Sequence, residues 1–515
     1  MQFLTSNPLV IFILQEWKLL SLLTIIFMLY FYYTKTFTFF EEKGVKFMKP
    51  YILLGNLGPR LMLKVSMHGF QLHIYNHFKG SPYGGIFEGR RPVFYVFDPD
   101  LIKAVTIKNF DHFVDRNVLN SRQPGYLSRS LINLKGRDWK DVRSTLTPSF
   151  SSTRLRNMLP LIEQCTTQMV QFLKAFDKKE VEMKDVMGHF TLEVIGACAF
   201  GIKCDALTDE NAHFVQVASK FNDMAVSKRL LIFFVLIFMP RMFRFLNLSF
   251  LNPESTKELL KILTAAKAER RSTKSKRNDF LQLLIDSAEP EKTESVKPGE
   301  HKKHLDEDTI DAQALLFLIA GYETSSTVLS FAIHVMATHP ELQRRLREHV
   351  SEVTDGKEMS YEVLAELHYL EAFLLETLRV YPPVSRIDRV VTKPYTVPGT
   401  SINLDPGTVV AIPVYGIHMD PDIYPEPTKI RPERFLGDEK NDRPSHLYLA
   451  FGAGPRNCIG LRFAMFSVKL AMVTLLKNYK FSPCSKTKDP IPFEKKGILL
   501  KAHGGVWVTL ESLKE

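Results

Sequence analysis

The feature that most constrains this chain is a glycine-rich loop around one cysteine near the carboxyl end. Residues 451–460 read FGAGPRNCIG, with glycine at three positions and with Cys458 directly before a helix-forming segment. Glycine permits the tight turns and the close backbone approach that the presentation of a single side chain requires. Backbone N–H groups at the start of a helix favour negative charge. The sequence therefore predicts a lowered pKa for the Cys458 thiol.

The other cysteines restrict the chemistry of this loop. The chain has 5 cysteines, scattered over its length without a CxxC pair or zinc spacing, which predicts reduced thiols and a compartment facing the cytosol. A single thiolate without neighbouring Cys or His does not hold zinc, but it suits the one protein ligand of a haem iron. The alternative for a lone cysteine is an inert buried thiol.

The loop resembles the haem-binding signature of the cytochrome P450 family, Phe-x-x-Gly-x-Arg-x-Cys-x-Gly, at every defined position. Other family signatures follow in order. They are AGYET at 320–324, which resembles the oxygen-activation motif; ETLR at 376–379 and PERF at 432–435, which resemble an internal ion pair; and WKDVR at 139–143, which resembles the helix beside a haem propionate. The resemblance extends over about residues 45–512 and is greatest to insect microsomal members that metabolise xenobiotics.

The resemblance implies a cytochrome P450 fold, mainly α with small β-sheets, behind an amino-terminal transmembrane helix. It implies haem b as the cofactor, Cys458 as the iron ligand, and Thr324 and Glu323 as catalytic residues of oxygen activation and proton relay. The further haem contacts that it implies are Phe451, Arg116, Trp139, Arg143, Arg386 and Arg456. Arginines suit propionates because a guanidinium binds a carboxylate bidentately.

The implied activity is that of a monooxygenase. It inserts one oxygen atom of O2 into lipophilic small molecules, either xenobiotics such as insecticides or plant toxins, or endogenous lipids. Its electrons come from NADPH through NADPH-cytochrome P450 reductase, with cytochrome b5 as a second candidate donor. Phe317 is a candidate wall of the substrate pocket. The basic residues expected to dock the reductase are Lys135, Arg137, Lys140, Arg462 and Lys469, and solvated charge is the alternative explanation for them.

Two other functions remain open at this point. One is a haem-thiolate isomerase or dehydratase that acts on lipid peroxides without a reductase, although such proteins often lack the threonine found here at 324. The other is a non-enzymatic membrane haem carrier or gas sensor, which has no need of the Gly321–Thr324 motif. Product analysis with and without a reductase distinguishes the three.

The amino-terminal segment is predicted to be a membrane anchor. From Leu19 to Tyr33 the chain has no charge over about 15 residues, against the roughly 20 that a spanning helix needs. Trp17 and residues 34–40 extend it to that length. The alternative is a cleaved signal peptide, but no small-x-small site follows the run. We therefore predict an anchor over residues 1–40 and a haem-thiolate catalytic domain over residues 41–515.

Charge predicts the orientation of that anchor. Four lysines follow the apolar run by residue 49, whereas Lys18 stands almost alone before it, so the positive-inside rule places the catalytic domain on the cytosolic side of the endoplasmic reticulum membrane. A second apolar stretch at 230–239 is too short to span, and it is either a buried core helix or a segment that dips into lipid.

Composition excludes several classes of protein, and periodicity predicts the longest helix. Hydrophobic residues make up 45% of the chain and charged residues 24%, which excludes a disordered chain, a collagen-like fibre and a polytopic membrane protein. Basic runs in low-hydrophobicity segments are read as solvated loops, and no nucleic-acid partner is expected. Helical periodicity predicts one long helix from near Asp306 to Pro340, interrupted by Gly321, where something approaches the backbone closely or where the helix simply packs.

Overall fold

The computed structural model describes residues 8–117, 126–209, 212–220, 227–228, 231–232, 234–235, 252–273, 279–288 and 305–513. Helices dominate these residues and three small sheets accompany them, which confirms a mainly α fold with small β-sheets. Most of the apolar stretch at 230–239 lies outside the described residues. Of its described members, Leu231 and Phe234 are exposed, whereas Ile232 and Val235 are buried.

The α-helices of the described residues are numbered in chain order. They are α1 (Pro8–Thr34), α2 (Phe39–Glu42), α3 (Gly58–Leu61), α4 (Met67–His77), α5 (Pro99–Lys103), α6 (Gly136–Leu146), α7 (Ser152–Leu173), α8 (Met183–Ile195), α9 (His213–Ser219), α10 (Pro253–Thr273), α11 (Phe280–Ala288), α12 (Glu307–Thr338), α13 (Pro340–Thr354), α14 (Tyr361–Glu366), α15 (His368–Val380), α16 (Val414–His418), α17 (Gly437–Asp442) and α18 (Leu461–Asn478).

The strands form one larger and two smaller sheets. They are β1 (Tyr83–Glu88), β2 (Arg91–Val96), β3 (Glu180–Glu182), β4 (Ile387–Val390), β5 (Tyr395–Thr396), β6 (Asn403–Leu404), β7 (Val409–Ile412), β8 (Tyr479–Ser482) and β9 (Trp507–Ser512). The larger sheet has the order β1-β2-β7-β4, in which only β2 and β7 are parallel. The others are β3-β9-β8 and β5-β6.

Helix α12 is the central element, and its bounds match the prediction. The side chain of Asp306 accepts a hydrogen bond of 2.8 Å from the Thr309 N–H and thereby caps the first turn. The helix ends at Thr338, just before Pro340, which starts α13. Its apolar residues pack against α8, α15 and α18 in the largest core cluster. This packing fixes α12 relative to α18, the helix that follows the cysteine loop.

Two helical stretches of the described residues are long and apolar enough to cross a membrane, Trp17–Glu42 and Glu307–Thr338. The second is mostly buried within the protein and is therefore a core helix. The first has almost no protein around it. Exposed apolar side chains at this density favour a lipid environment for the amino-terminal helix.

Candidate functional site

The cysteine loop lies between a short 3₁₀ turn and α18. The Cys458 N–H donates a hydrogen bond of 2.8 Å to the Phe451 carbonyl oxygen and so closes the loop. Gly452 and Gly454 have φ of +74° and +70°, a region that favours glycine. The Cys458 side chain is exposed, as the glycine pattern of the sequence indicates for a presented residue.

A close backbone contact holds this loop in place. A Cβ on Gly454 would lie 1.8 Å from the carbonyl oxygen of Thr106, so only glycine fits there. Thr106 belongs to a π-helical turn, Ala104–Lys108, which follows α5 directly. The cysteine loop therefore packs against residues 104–108, which are distant from it in sequence.

The electrostatics of Cys458 differ from the sequence prediction. Burial raises the pKa of the thiol, although the Gly460 N–H and the Arg116 and Arg143 guanidiniums each act to lower it. The predicted stabilising groups are thus present, but desolvation outweighs them. Cys458 nevertheless keeps accessible surface, so its side chain is available to a ligand.

Arginines from separate segments meet behind the loop. Arg456 donates hydrogen bonds of 2.9 Å to the Val114 carbonyl, 3.2 Å to that of Leu131 and 2.7 Å to that of Leu134. Its guanidinium lies 4.1 Å from the centre of the Trp139 ring. The Arg456 carbonyl in turn accepts a hydrogen bond from the Arg116 side chain. The structure therefore brings together these three site residues predicted from the sequence.

Arg143 joins them from α6. Its two terminal nitrogens donate hydrogen bonds of 3.0 Å each to the backbone and side-chain oxygens of Asn457. Trp139, one helical turn earlier, is buried beside Arg456. The spacing of four residues places both on one face of the helix, as the WKDVR pattern indicates.

Arg386, predicted to contact a propionate, is ion-paired with two acids of the protein. Its side chain is committed to the carboxylates of Glu88 and Asp388 and lies 5.5 Å from the centre of the Tyr95 ring. Arg389 instead lies close enough to Arg116 and Arg456 that its charge affects their neighbourhood. Side chains alternate along a strand, so Arg386 and Arg389 leave the β4 segment on opposite faces. Arg389 was not predicted as a site residue, although it lies three residues after Arg386 in a run that resembles a strand.

Arg116, Arg143, Arg389 and Arg456 form a cluster of cations that outnumbers the acids acting on it, Asp115 and Asp388. Burial, reinforced by Arg116 and Arg389, lowers the pKa of Arg456 to about 8, and burial and Arg116 lower that of Arg389 to about 9. The Nε atoms of Arg116 and Arg389 are buried without a hydrogen-bond partner. The acid nearest to Arg456, Asp115, is 4.0 Å away. Buried charge of this kind calls for an anion, and the two propionates of a haem beside a cysteine sulfur fit it.

Thr324 and Glu323, adjacent in the AGYET segment, lie in different surroundings. Thr324 is part-exposed, and its hydroxyl donates a hydrogen bond of 2.6 Å to the Ala320 carbonyl oxygen. Glu323 is buried, with Lys184 and Lys501 at 3.6 and 3.2 Å from its Oε1. These two cations outweigh burial and lower the pKa of the Glu323 carboxyl. The carboxylate therefore ties α12 to α8 and to the carboxyl-terminal segment.

The absence of a side chain at Gly321 leaves space for a side chain of the neighbouring helix α8. A Cβ there would lie 2.4 Å from Cδ1 of Ile195, a residue of α8. Of the two explanations for the mid-helix glycine, the structure supports helix packing. Thr191 on the same helix donates a hydrogen bond of 3.2 Å to the Tyr322 carbonyl, which strengthens this contact.

The predicted docking residues do not form one set. Lys135, Arg137, Lys140 and Arg462 are exposed near the ends of α6 and α18. Lys469 is buried, ion-paired with Glu371 and hydrogen-bonded to the Leu364 carbonyl at 3.1 Å. Its inclusion was wrong, because it lies on the face of α18 that packs into the core.

A buried ion cluster supports the region behind the loop, as predicted. Nε and Nη2 of Arg379 donate hydrogen bonds of 2.7 and 2.8 Å to the two oxygens of Glu376. Arg434 adds a contact of 3.2 Å to the same carboxylate, and all three side chains are inaccessible. Another Glu-x-x-Arg match in the sequence, Glu341 with Arg344, is an exposed pair on α13.

Comparison with known proteins agrees with this arrangement. The model of the family described as cytochrome P450 matches residues 46–508. The chain is 38% identical to cytochrome P450 9e2 of Blattella germanica over 92% of this chain and 93% of that protein. It is 35% identical to cytochrome P450 6a8 of Drosophila melanogaster (94% and 96%) and 34% identical to cytochrome P450 3A6 of Oryctolagus cuniculus (95% and 95%).

Proposed function

The chain belongs to the cytochrome P450 family, and on that premise we propose that it is a membrane-bound haem-thiolate monooxygenase of lipophilic small molecules. The observation that carries the proposal is an accessible cysteine beside a buried cluster of arginines in which cations outnumber the acids. That combination suits a cofactor with an iron centre and two carboxylates. Residues 1–40 form the proposed anchor and residues 41–515 the proposed catalytic domain.

The residues proposed to hold haem b follow from the contacts. Cys458 is the iron ligand, and the Phe451 carbonyl closes its loop. The proposed contacts of the propionate region are Arg116, Trp139, Arg143, Arg456 and, in addition, Arg389. Arg386 is not carried into this set, because its transfer to a propionate would leave Glu88 and Asp388 without their cation. When bound, haem supplies the binding and activation of O2.

Thr324 and Glu323 have different proposed roles: Thr324 transfers protons and Glu323 positions α12. Thr324 holds a proton at its hydroxyl, which keeps a fixed direction through the bond to Ala320. We propose that this hydroxyl relays protons at the open face of α12, where Ala320 is exposed. Glu323 acts as a positioning residue through Lys184 and Lys501 rather than in contact with the reacting atoms.

Electrons are proposed to come from NADPH through NADPH-cytochrome P450 reductase, with cytochrome b5 as a further donor. Four exposed basic residues at the beginning of α6 and of α18, which flank the cysteine loop, support a partner with an acidic surface: Lys135, Arg137, Lys140 and Arg462. We place the protein in the endoplasmic reticulum membrane, with the catalytic domain on the cytosolic side. The exposed apolar helix α1 and the lysines that follow it support this location.

The substrate class rests on the apolar lining. The ring of Phe317 on α12 packs against that of Phe150 in a tilted arrangement and against that of Phe280 edge to face, with ring centres 5.5 and 4.1 Å apart. Val384, in the segment before β4, is exposed. Aromatic and aliphatic surfaces near the site favour lipophilic molecules, among which we include xenobiotics such as insecticides and plant toxins, and endogenous lipids.

The test is spectroscopic and then chemical. The reduced CO complex of the full chain is expected to show the long-wavelength Soret band of thiolate ligation, which Cys458→Ala abolishes and Cys484→Ala retains. A band typical of nitrogen ligation in the intact chain contradicts the assignment. Product formation that needs reductase, NADPH and O2 supports the monooxygenase. Conversion of a lipid peroxide without reductase supports an isomerase or dehydratase instead.

A further inference from the structure

A cavity of about 540 Å³ lies between α7 and the segment that begins near the end of α8. Side chains of α7 form one wall, at positions 157–168, and residues between 193 and 203 form another. Asp279, directly before α11, completes the lining. None of these residues belongs to the proposed haem site, so the cavity is separate from the cysteine loop.

Two residues of α8 show on which side of that helix the cavity lies. Glu193 lines the cavity, whereas Ile195 occupies the space beside Gly321 of α12. Successive residues of an α-helix are rotated by about 100°, so positions two apart project from nearly opposite faces. The Glu193 side of α8 therefore faces away from α12 and from the AGYET segment.

Glu193 places in the cavity wall a carboxylate that the protein satisfies only in part. The residue is 4% exposed. Its Oε1 and Oε2 accept hydrogen bonds of 3.3 and 2.8 Å from the N–H groups of Cys204 and Ala206. A carboxylate offers about four acceptor positions, so about two remain open. Within the described part of the chain, no nitrogen of Lys, Arg or His lies within 4.0 Å of this carboxylate, which therefore has no counter-ion there.

The cations beside the cavity are paired with other acids. Arg270 donates hydrogen bonds of 2.5 and 2.6 Å to the two oxygens of Asp279, and both residues are buried. Lys203 is exposed at the rim of the cavity and lies 2.8 Å from Asp205. Together with Glu193, this group has three carboxylates and two cations, an excess of one negative charge. A buried carboxylate is costly to keep without a cation, so the cavity favours a positively charged ligand.

The other lining residues indicate what kind of molecule carries that charge. Leu161, Cys165 and Ile202 line the cavity with apolar groups, and burial raises the pKa of the Cys165 thiol to about 12, so that it stays neutral. Side-chain amides, whose carbonyl oxygens accept hydrogen bonds from N–H donors, line it at Asn157, Gln164 and Gln168. Cavities of roughly 300–1,000 Å³ hold small organic molecules. An ammonium group on a compact apolar body matches this lining.

We propose that this cavity binds an organic ammonium ion, with Glu193 as its counter-ion and with Leu161 and Ile202 against its apolar part. The ammonium group donates hydrogen bonds to the acceptor positions of Glu193 that the backbone leaves open. Binding at Glu193 involves neither the iron nor the proposed haem contacts, and it is therefore independent of the proposed monooxygenase activity.

The experiment uses the full chain with haem bound, held as the reduced CO complex so that an amine does not coordinate the iron. The probe is 2-phenylethylammonium and the neutral control ligand is 2-phenylethanol, both measured by isothermal titration calorimetry in detergent micelles. The wild-type chain is expected to bind the ammonium at one site, at least about ten-fold more tightly than the alcohol. Glu193→Gln is expected to weaken binding of the ammonium about ten-fold or more and to leave binding of the alcohol unchanged.

A second variant tests the cavity without removing the buried charge. Leu161→Trp, at the exposed rim, is expected to weaken binding of both ligands because the larger side chain fills the cavity. The matched control is Glu163→Gln, a partly exposed carboxyl on α7 that does not line the cavity, and it is expected to bind like the wild type.

Equal ammonium affinity in the wild type, Glu193→Gln and Leu161→Trp overturns the site, as does equal affinity of the wild type for the ammonium and the alcohol. If Glu193→Gln loses the CO spectrum, Leu161→Trp decides: weakened binding supports the cavity and unchanged binding overturns it.

Discussion

Arg143 holds Asn457, the residue before the cysteine sulfur, through two hydrogen bonds of 3.0 Å to its backbone and side-chain oxygens. The same guanidinium acts to lower the pKa of Cys458. One side chain from α6 therefore positions the loop and favours the thiolate form of Cys458. Because 314 positions separate Arg143 from Asn457, this relationship exists only in the folded chain.

Gly454→Ala is expected to abolish haem incorporation, because the new Cβ would lie 1.8 Å from the Thr106 carbonyl oxygen. The control is Gly399→Ala, which has a similar φ of +73° and nothing within 4 Å. Both substitutions carry a backbone cost of about 1–2 kcal/mol, but only the first displaces the loop. Haem content per protein measures the difference, and equal content in the two variants would contradict the steric account.

Glu376→Gln is expected to lower the free energy of unfolding by about 3–5 kcal/mol, because Arg379 and Arg434 lose their buried carboxylate. Glu341→Gln removes the same i,i+3 pairing with Arg344 on an exposed helix surface and is expected to cost about 0–1 kcal/mol. Urea unfolding of both variants provides the measurement. Similar losses would show that burial does not decide the cost.

Arg389→Met is expected to accelerate the release of haem to a scavenger protein without lowering the stability of the cofactor-free chain. The reason is that the wild-type residue is a buried cation with an unpartnered Nε. Arg386→Met is expected to lower cofactor-free stability instead, because Glu88 and Asp388 lose their partner. The opposite pattern would restore Arg386 as the propionate contact.

Lys501→Met is expected to shift acid unfolding to higher pH. Lys184 and Lys501 lower the pKa of Glu323, so its carboxylate stabilises the fold above its unfolded pKa of about 4.3. That contribution disappears as pH falls through the lower folded pKa. Loss of Lys501 raises the pKa of Glu323 in the folded state, so acid unfolding begins at a higher pH. Lys480→Met, at an exposed strand position, serves as the control, and an equal shift there would contradict the assignment.

Thr324→Ala is expected to retain haem and the thiolate spectrum but to release more hydrogen peroxide per NADPH consumed, since the hydroxyl proposed to relay protons is gone. Thr338→Ala removes an equivalent bond to a carbonyl four residues earlier on the same helix, far from the motif. Its coupling of NADPH to product is expected to stay unchanged. Unchanged coupling in Thr324→Ala would refute the proton relay.

Local patterns predicted several features well. The bounds of α12, the Glu376–Arg379 pair and the start of α18 after Gly460 follow from caps, prolines and spacing that the chain carries within a few residues. Lys469 was misplaced because its neighbours in sequence do not say which face of α18 is buried. The pKa direction at Cys458 was missed for a related reason, since desolvation depends on all surrounding segments.

The sequence by itself determined the class of this protein: the glycine loop with its single cysteine and the apolar amino terminus are local features whose chemistry follows from residue type and spacing. Only the tertiary structure decided which arginines meet behind the loop, that Ile195 fills the space at Gly321, and that the Glu193 carboxylate lines a cavity beside α7. These relationships join segments that are distant along the chain, and their energies depend on burial and on the direction of each side chain.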